Sequence, residues 1–359
     1  MMLSELREEI DRIDHEVIER LNERVRLAIE VGRIKHAQGA EIYVPSREEQ
    51  VFAKLAEYSR TSGGDLPIEA IRHIWREIIS TSISAEKRLQ IAYLGPEATF
   101  TEQAAQKNFG SQVDYTAQPA IADVFSAVTV RDADYGVIPI ENSTGGAVIH
   151  SLDLLAETEL KIVAQVYLEI EHCLISRSAL EDIREIRSKD QALLQCRQWL
   201  YRHLPKAAQV EIDSTAEAVR HAADHPQCAA VASALAADRY GVPIVRRAIQ
   251  DRHDNVTRFL VIGRECSGPT GLGKDRTSLL LSIRDEVGAL GKVLSAFSNR
   301  GLNLLKIESR PSRQKNWDYL FFIDLEGHWQ DEKVQEAIGM LRTRCPLIKW
   351  LGSYPQNSL

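Results

Sequence analysis

The chain has 359 residues, which at about 150 residues per domain predicts two or three domains. Its 44 lysines and arginines stand against 51 aspartates and glutamates, and the formal net charge of -7 argues against a general affinity for nucleic acid. The composition, 44% hydrophobic and 26% charged, is ordinary for a globular protein and lies outside the disordered, collagenous and membrane-embedded ranges.

Neither a targeting signal nor a cysteine framework is evident in the sequence. No apolar run approaches the roughly 18 residues of a membrane span, and the first residues lack the basic and apolar regions of a signal peptide. We therefore expect a cytoplasmic protein with no membrane partner. The five cysteines are odd in number and contain no Cys-x-x-Cys pair, so we expect free thiols rather than disulfides or a zinc site.

The first 88 residues are predicted to be all helical. Residues 4–38 contain no proline and carry apolar side chains at helical spacing, and such a helix would be roughly 50 Å long, about twice the width of a compact 90-residue domain. Ser46 and Glu49 have capping-box spacing and are expected to begin a second helix, and residues 67–87 a third. One overlong helix among three predicts a dimer that exchanges helices.

The remainder of the chain is predicted to form two further domains. Strand and helix patterns alternate over residues 90–264, which indicates an α/β domain, and residues 160–175 form one long alternating strand that would carry the chain between two lobes. Residues 267–275 have the composition of a linker, and a small α+β unit follows. The expected domains are residues 1–88, 89–266 and 276–355.

Three patterns resemble cofactor or metal sites but are incomplete. The segment 268–274 approaches a phosphate-binding loop, yet Asp275 stands where Ser or Thr should bind magnesium. His221 and His225 have helical spacing without a Glu or a third ligand, so surface histidines are the better interpretation. No Gly-x-Gly-x-x-Gly follows a strand. We expect no cofactor and no metal.

Cationic residues of the first helix could hold an anionic ligand. Arg24 and Lys35 are about three turns apart, with ~16 Å of rise, so both can grip one dianion from the same helix face. Arg7 lies ~42 Å from Lys35 along the axis and could join them only from the second chain of an antiparallel dimer. From spacing alone, solvated helix charges remain the alternative.

Four segments of this region, residues 6–14, 23–35, 45–48 and 76–82, resemble the all-helical chorismate mutases. The resemblance implies that arginine and lysine side chains hold the two carboxylates and the ether oxygen of chorismate. Such a pericyclic rearrangement needs no nucleophile, only a preorganised cationic cage. The positions that match the family's contacts are Arg7 of the partner subunit, Arg24, Lys35, Glu48, Ser82 and Glu86.

Val44 departs from the mutase pattern, and Glu86 matches it but can act as a donor only when it is protonated. Val44 stands where some relatives have Asp, so any side-chain contact at that position is lost. Glu86 falls where the family has Gln or Glu beside the ether oxygen, and a carboxyl group donates a hydrogen bond only when protonated. We therefore expect mutase activity to fall as the pH rises.

Two polar segments of the middle domain lie next to apolar strands. Residues 136–146 follow a strand with polar side chains and open backbone N–H groups, and residues 255–259 precede another strand. In the second segment, a Thr257 hydroxyl beside Arg258 could protonate a leaving hydroxyl while the cation holds a carboxylate. Ordinary turns are the alternative.

These segments, together with residues 93–101, 214–218 and 229–233, resemble prephenate dehydratase. The resemblance implies a two-lobed fold like that of periplasmic binding proteins, with prephenate in the cleft, loss of water and carbon dioxide to give phenylpyruvate, and no cofactor. Lys189-Asp190 replaces a common His-Pro pair, and Ala98 replaces a usual Gly. Besides Thr257 as the essential hydroxyl, the implied substrate contacts are Glu141, Asn142, Ser188, Gln191, Gln195 and Arg258.

The last unit resembles an ACT domain. Residues 288–290 at a helix start and 308–311 after a strand look like its two phenylalanine-binding segments, and residues 317–328 complete the pattern. A structural helix start and turn are the alternative. We expect phenylalanine to bind at a subunit interface and to inhibit by favouring a less active state. The implied effector contacts are Gly288, Ala289, Leu290, Glu308, Ser309, Arg310 and Pro311.

Taken together, the segments predict a bifunctional enzyme of phenylalanine biosynthesis that acts on chorismate and prephenate under feedback inhibition by L-phenylalanine. The chain is expected to form a homodimer or a higher homo-oligomer. Two alternatives stay open: the same architecture with a preference for arogenate, and a non-catalytic amino-acid sensor.

Overall fold

A computed structural model of the protein describes residues 3–252, 254–283, 286–311 and 319–356. Its helices are α1 (Leu3–Ala37), α2 (Pro45–Ser62), α3 (Ile68–Glu86), α4 (Phe100–Phe109), α5 (Ile121–Thr129), α6 (Ile149–Glu157), α7 (Asp190–Gln195), α8 (Arg197–His203), α9 (Thr215–Asp224), α10 (Ala234–Tyr240), α11 (Ala289–Ser298) and α12 (Glu332–Leu341), with a 3-10 turn at Leu180–Asp182. Its strands are β1 (Gln90–Leu94), β2 (Asp114–Gln118), β3 (Tyr135–Asn142), β4 (Gly146–Ala147), β5 (Lys161–Glu169), β6 (Cys173–Ile175), β7 (Glu185–Ser188), β8 (Ala208–Glu211), β9 (Cys228–Ala232), β10 (Ile244–Arg246), β11 (Val256–Gly263), β12 (Asp275–Ile283), β13 (Leu304–Pro311), β14 (Tyr319–Glu326) and β15 (Leu347–Pro355).

The first domain consists of α1, α2 and α3, as predicted. Helix α1 contacts α3 closely at Gly32, where an added Cβ would lie 2.7 Å from Cγ of Glu86. Gly32 is the buried residue of α1, and most of that helix is exposed. Its exposed apolar side chains recur along its length and are not covered by the part of the chain that the structure describes: Leu3, Leu6, Ile10, Ile13, Val17, Ile18, Leu27, Val31 and Ile34.

The expected capping box at the start of α2 is wrong. The helix begins at Pro45, and its N-cap residue is Val44, without a side-chain bond, two residues before the predicted N-cap Ser46. Proline suits this first position because its missing N–H would have no partner there. The backbone oxygen of Val44 accepts from the N–H groups of Arg47 and Glu48, while Ser46 is buried at 6% exposure.

The first lobe of the middle domain surrounds a sheet of order β2-β1-β3-β11-β5, with β4 beside β3. Strand β1 runs parallel to β2 and β3, whereas β11 is antiparallel to both β3 and β5. The central strands are nearly continuous runs of buried apolar residues because helices or other domains cover both of their faces.

The second lobe has a separate sheet of order β10-β6-β9-β7-β8. The single strand predicted over residues 160–175 is instead two strands, β5 in the first sheet and β6 in the second, with residues 170–172 crossing between the lobes. The chain returns to the first lobe in β11. The predicted two-lobed α/β architecture, with a strand segment that carries the chain across, is therefore confirmed.

The third domain is an α+β unit whose sheet has the order β13-β14-β12-β15, with β13 at one edge. One sheet face packs on α11 and α12, and the other packs on the first lobe. Strand β15 touches β5 so closely at Gly352 that an added Cβ would lie 2.1 Å from the backbone oxygen of Ile162. Trp317 and Asp318 of the predicted pattern lie outside the described residues.

The domains share continuous hydrophobic clusters. Tyr43 and Ile79 of the helical domain pack in one cluster with Ile91 and Phe109 of the first lobe. The connection from α3 to β1 is only residues 87–89, so the helical domain is joined directly to the sheet. Within the described part of the chain, no helix has both the length and the apolarity that a membrane crossing requires.

Candidate active sites

Polar side chains from α1 and α3 meet in the helical domain. Arg24 donates to the hydroxyl of Ser82, which α3 supplies. Lys35 Nζ donates to the backbone oxygen of Ile42 at 2.8 Å and lies 3.9 Å from the Glu86 carboxylate. Four of the side chains predicted from the mutase resemblance therefore line one place in a single chain.

Helix α2 supplies a buried carboxylate to the same region. Glu48 is 8% exposed, and its Oε2 accepts from Arg76 at 2.7 Å. Its other oxygen, Oε1, and Oε2 of Glu86 are buried and have no hydrogen-bond partner among the described residues, although Lys35 Nζ lies 3.9 Å from Glu86 Oε2. Unpaired buried oxygens are costly, so both are places where a bound ligand would supply the missing hydrogen bond.

Protonation makes these carboxyls possible donors. Burial raises the pKa of Glu86, although Lys35 opposes the shift. Burial likewise raises the pKa of Glu48 against the opposing charge of Arg76. A carboxyl with a raised pKa keeps its proton to higher pH, and the protonated form can donate to an ether or hydroxyl oxygen.

Arg76 was missed in the sequence, and Arg7 is not brought to this cluster within one chain. Arg76 lies six residues before Ser82, in a segment that carried the mutase resemblance, but only folding shows that it faces Glu48. Arg7 is exposed near the far end of α1, some 25 Å of helix rise from Arg24. Its participation requires a second chain.

The dehydratase candidates meet where β3 and β11 end beside each other. Asn142 and Thr257 are partners in the strand register. The Asn142 amide donates to Thr257 Oγ1 at 2.8 Å and to Asn255 Oδ1 at 2.8 Å. Because Thr257 Oγ1 accepts this bond, its own hydrogen stays available, and it has no acceptor among the described residues.

Side chains of the second lobe reach this cluster across the cleft. Gln195 Nε2 donates to Thr144 Oγ1 at 2.6 Å, and Gln195 Oε1 accepts from Asn255 Nδ2 at 3.0 Å. Gln191 Nε2 lies 3.4 Å from Asn142 Oδ1, which also accepts from the Thr144 hydroxyl at 2.6 Å. The predicted Gln191, Gln195, Asn142 and Thr257 thus form one hydrogen-bonded group with two further members, Thr144 and Asn255.

A buried histidine supports this group and was not found in the sequence. His172 is 2% exposed, and its Nε2 lies 2.8 Å from Gln195 Oε1. Since that oxygen can only accept, Nε2 carries the hydrogen. Burial lowers the pKa of His172, so the ring is neutral near pH 7, and Nδ1 has no partner among the described residues. A lone histidine between two strands gives no pattern that would have identified it.

Three predicted substrate contacts lie elsewhere. The Ser188 hydroxyl donates to the backbone oxygen of Val231 inside the second lobe. Arg258 is 3% exposed and points toward the third domain, where it donates to Asp324 Oδ2 at 2.6 Å. Glu141 accepts from Arg258 at 3.0 Å and also from a lysine of the third domain. The expectation that Arg258 holds a substrate carboxylate beside Thr257 is corrected, because neighbouring strand residues face opposite sides of the sheet.

The structure shows the local conformation at the two positions that depart from the dehydratase pattern, Ala98 and Lys189-Asp190. Ala98 adopts a positive φ of 64°, a conformation that favours glycine, and its methyl is fully buried. Asp190 is the first residue of α7, with Lys189 at the N-cap position. An acidic residue in the first turn is favourable beside the positive end of the helix dipole.

The two predicted effector segments lie in the third domain on α11 and on the edge strand. Gly288 is the N-cap residue of α11 with a φ of 79°, and Leu290 is 37% exposed in its first turn. Residues 308–311 end β13, where Ser309 is exposed. Arg310 instead donates to Asp153 of the first lobe at 2.7 Å.

One group in the second lobe has metal-type donors outside the cleft. Ligand atoms of Glu185, His221 and Cys228 lie within 4.8 Å of one another. Arg187 donates to Glu185 Oε1 at 2.6 Å, so a fixed positive charge already pairs with the carboxylate. The neighbour predicted from the sequence, His225, stacks on His221 with ring centroids 3.8 Å apart. We interpret the group as an ion pair rather than a cation site.

Comparisons with known proteins agree with this geometry. Three family models match the chain: "Chorismate mutase type II" at residues 6–87, "Prephenate dehydratase" at 91–267 and "ACT domain" at 277–339. The bifunctional chorismate mutase/prephenate dehydratase of Aquifex aeolicus is 46% identical over 359 residues, with 99% of each chain covered. That of Neisseria gonorrhoeae is 42% identical, with 97% of this chain and 96% of the relative covered.

A solved structure covers the last two domains. The prephenate dehydratase of Arthrobacter aurescens in complex with L-Phe has a TM-score of 0.70 and 32% identity, over 76% of this chain and 92% of that chain. The matches of these two curated relatives cover 99% and 97% of this chain and therefore span all three domains. The chain therefore belongs to the family of bifunctional chorismate mutase/prephenate dehydratases.

Proposed function

We propose that the protein converts chorismate to prephenate in its helical domain and prephenate to phenylpyruvate in its two-lobed domain. The observation that carries the proposal is that each domain holds a separate converging group of the predicted side chains. Arg24, Lys35 and Glu86 converge in the first, and Asn142 and Thr257 in the second. These two groups argue against a non-catalytic amino-acid sensor, because a sensor would need neither set of side chains.

For the mutase step, the geometry supports electrostatic stabilisation. The rearrangement breaks a carbon–oxygen bond and forms a carbon–carbon bond in one compact transition state that carries negative charge at the ether oxygen. Lys35 and a protonated Glu86 supply donors for that oxygen, while Arg24 and Arg7 of the partner subunit hold the carboxylates. Donors fixed before the reaction need no reorganisation when the charge develops.

For the dehydratase step, the geometry supports acid catalysis by Thr257. Its hydroxyl proton passes to the leaving hydroxyl, which departs as water, and the bond to the ring carboxylate breaks as carbon dioxide leaves. Those bonding electrons complete the aromatic ring, and solvent returns a proton to the threonine. Asn142 donates to Thr257 Oγ1 and so stabilises the negative charge that develops there.

The oligomeric state is proposed from the exposed face of α1. The exposed apolar side chains of α1 need a cover, and a second antiparallel copy would supply both that cover and Arg7. We propose a homodimer that exchanges this helix, acting in the cytoplasm. The proposed domain limits remain 1–88, 89–266 and 276–355.

Regulation by L-phenylalanine is proposed for the third domain. Its support is the ACT-domain match together with the L-Phe complex of the Arthrobacter relative. Contacts through Gly288, Ala289, Leu290 and residues 308–311 remain predictions. Arogenate differs from prephenate by an amino group, and competition between the two substrates would decide the preference.

The deciding experiment supplies chorismate to the pure protein and follows prephenate and phenylpyruvate. Wild-type protein should form both products in sequence. Arg24→Ala should stop the first step and still convert added prephenate, whereas Thr257→Ala should accumulate prephenate. Full turnover by both variants would contradict the proposed sites.

A further inference from the structure

The strands that carry the dehydratase residues have a second, buried face. Asn142 and Thr257 are register partners, and so are the adjacent residues Glu141 and Arg258. Successive strand residues point to opposite faces, so the second pair faces away from the cleft. Asn142 and Thr257 therefore each have, as a chain neighbour, a charged residue at the boundary with the ACT domain.

Arg258 is held by residues of the ACT sheet. Its guanidinium donates to Asp324 Oδ2 at 2.6 Å and to the Tyr354 hydroxyl at 2.8 Å. Asp324 also accepts from the Ser278 hydroxyl at 2.5 Å. Burial by itself would raise the pKa of Asp324, but the positive charges of Arg258 and Arg276 keep this pKa below its usual range, so the carboxylate stays charged. Buried charges that depend on each other in this way resist separation.

Glu141 is held by the edge strand of the same sheet. One of its oxygens accepts from Arg258 at 3.0 Å, and the other accepts from Lys306 of β13. Lys306 is only 16% exposed. It lies two residues before Glu308, the first residue of the predicted effector segment, so the two side chains share one face of β13.

We propose that the Lys306–Glu141 and Asp324–Arg258 ion pairs transmit effector binding to the dehydratase site. This inference rests on the proposed function. A shift of β13 or β14 moves Glu141 and Arg258, and their peptide bonds pass that movement to Asn142 and Thr257. Lys306 and Asp324 are thus positioning residues, and Glu141 and Arg258 act through their neighbours rather than on the substrate.

Small movements are sufficient for this effect. The Asn142–Thr257 hydrogen bond is 2.8 Å long, and such bonds weaken beyond about 3.2 Å. A misplacement of about 1 Å can cost a hundredfold in rate. The two ion pairs are therefore placed where a sub-ångström shift of the ACT sheet would change the rate of the dehydratase reaction.

The test removes the charge of Lys306 and measures binding and inhibition separately. In Lys306→Gln, phenylalanine should still bind by calorimetry, whereas inhibition of the dehydratase should weaken by about tenfold or more. Lys306→Arg should restore inhibition, since it keeps the charge. Glu141→Gln should give the same loss of inhibition from the other side of the contact, and mutase activity should be unchanged in all three variants.

Lys349→Gln is the matched control. Lys349 is also an ACT lysine that donates to the first lobe, at the backbone oxygens of Ala156 and Thr158, and none of its hydrogen bonds or ion pairs among the described residues is to β3 or β11. This variant should remain fully inhibited. Equal loss of inhibition in Lys349→Gln would overturn the proposal, because any interdomain contact would then suffice.

Failure of the coupling and failure of the proposed function give different results. If wild-type protein lacks dehydratase activity, or if phenylalanine does not inhibit it, the proposed function fails. If wild-type protein is inhibited and Lys306→Gln is inhibited equally, the coupling alone is wrong. Loss of phenylalanine binding in Lys306→Gln would also overturn it, because Lys306 would then be an effector contact.

Discussion

The two candidate active sites differ in how much of each one chain contains. The dehydratase group is complete within a chain: Asn142, Thr257 and Gln195 are hydrogen-bonded through their neighbours across the cleft. The mutase group has Arg24 and Lys35 in place but not Arg7, and the helix that carries all three has an exposed apolar stripe. Under the proposed function, one chain therefore places its proton donor, Thr257, by itself, whereas a cationic cage that includes Arg7 would require two chains.

The largest effect is expected for the side chain on which the dehydratase site depends. Thr257→Ala removes the proposed proton donor and should lower the dehydratase kcat by ~10²–10⁴-fold. Thr257→Ser keeps the hydroxyl and should retain much of the rate. Mutase activity on chorismate, measured in the same preparation, should be unchanged in both. Near-normal phenylpyruvate formation by Thr257→Ala would contradict the assignment of Thr257 as the proton donor.

Mixed dimers test the contrast between the two sites directly. Arg7→Ala and Arg24→Ala should each lower mutase activity by ~10²–10³-fold, as expected for the loss of one preorganised charge. When the two variants are refolded together, half the dimers are mixed and each contains one complete site, so activity should return to roughly a quarter of wild type. Mixing Asn142→Ala with Thr257→Ala should restore no dehydratase activity. No recovery in the first mixture would show that Arg7 does not act across the dimer.

The pH dependence should also separate the sites. Burial raises the pKa of Glu86, with Lys35 opposing, so the protonated donor persists to higher pH than in a free glutamate. Above that raised pKa the mutase rate should fall by about tenfold per pH unit, and Glu86→Gln should remove this fall. Glu69→Gln, an exposed change on the same helix, is the control. A mutase rate independent of pH in the wild-type protein would contradict a protonated Glu86.

The smallest effect is expected for His172, which donates a hydrogen bond to Gln195 of the dehydratase group. His172→Leu removes the donor to Gln195 Oε1 and should lower dehydratase kcat/KM by about tenfold, the value of one hydrogen bond of ~1.4 kcal/mol. Burial lowers the pKa of His172, so the ring should not titrate between pH 7 and 8. The exposed His150→Leu is the control. A loss of mutase activity in His172→Leu would indicate general unfolding instead.

The domain order and most elements could be predicted because they depend on local patterns, such as the apolar spacing of α1 and the continuous apolar run of β11. The placement of Arg258 also follows from alternation, once Thr257 is assigned to the cleft. Arg76 and His172 could not be found because their partners, Glu48 and Gln195, are distant in the chain. The capping box failed because Pro45 fits the first helical position and buries Ser46.

The contact at Gly352 determines how the ACT domain can move. A layer of side chains between two sheets is compliant, since rotamers can change to absorb a small displacement. At Gly352 no such layer exists, because the backbone of β15 touches Ile162 of β5 directly. Strand β5 is in turn hydrogen-bonded along its length to β11. The contact between the two domains is therefore rigid at this point. A methyl group added at position 352 would clash with the backbone of Ile162 and would change the spacing of the domains.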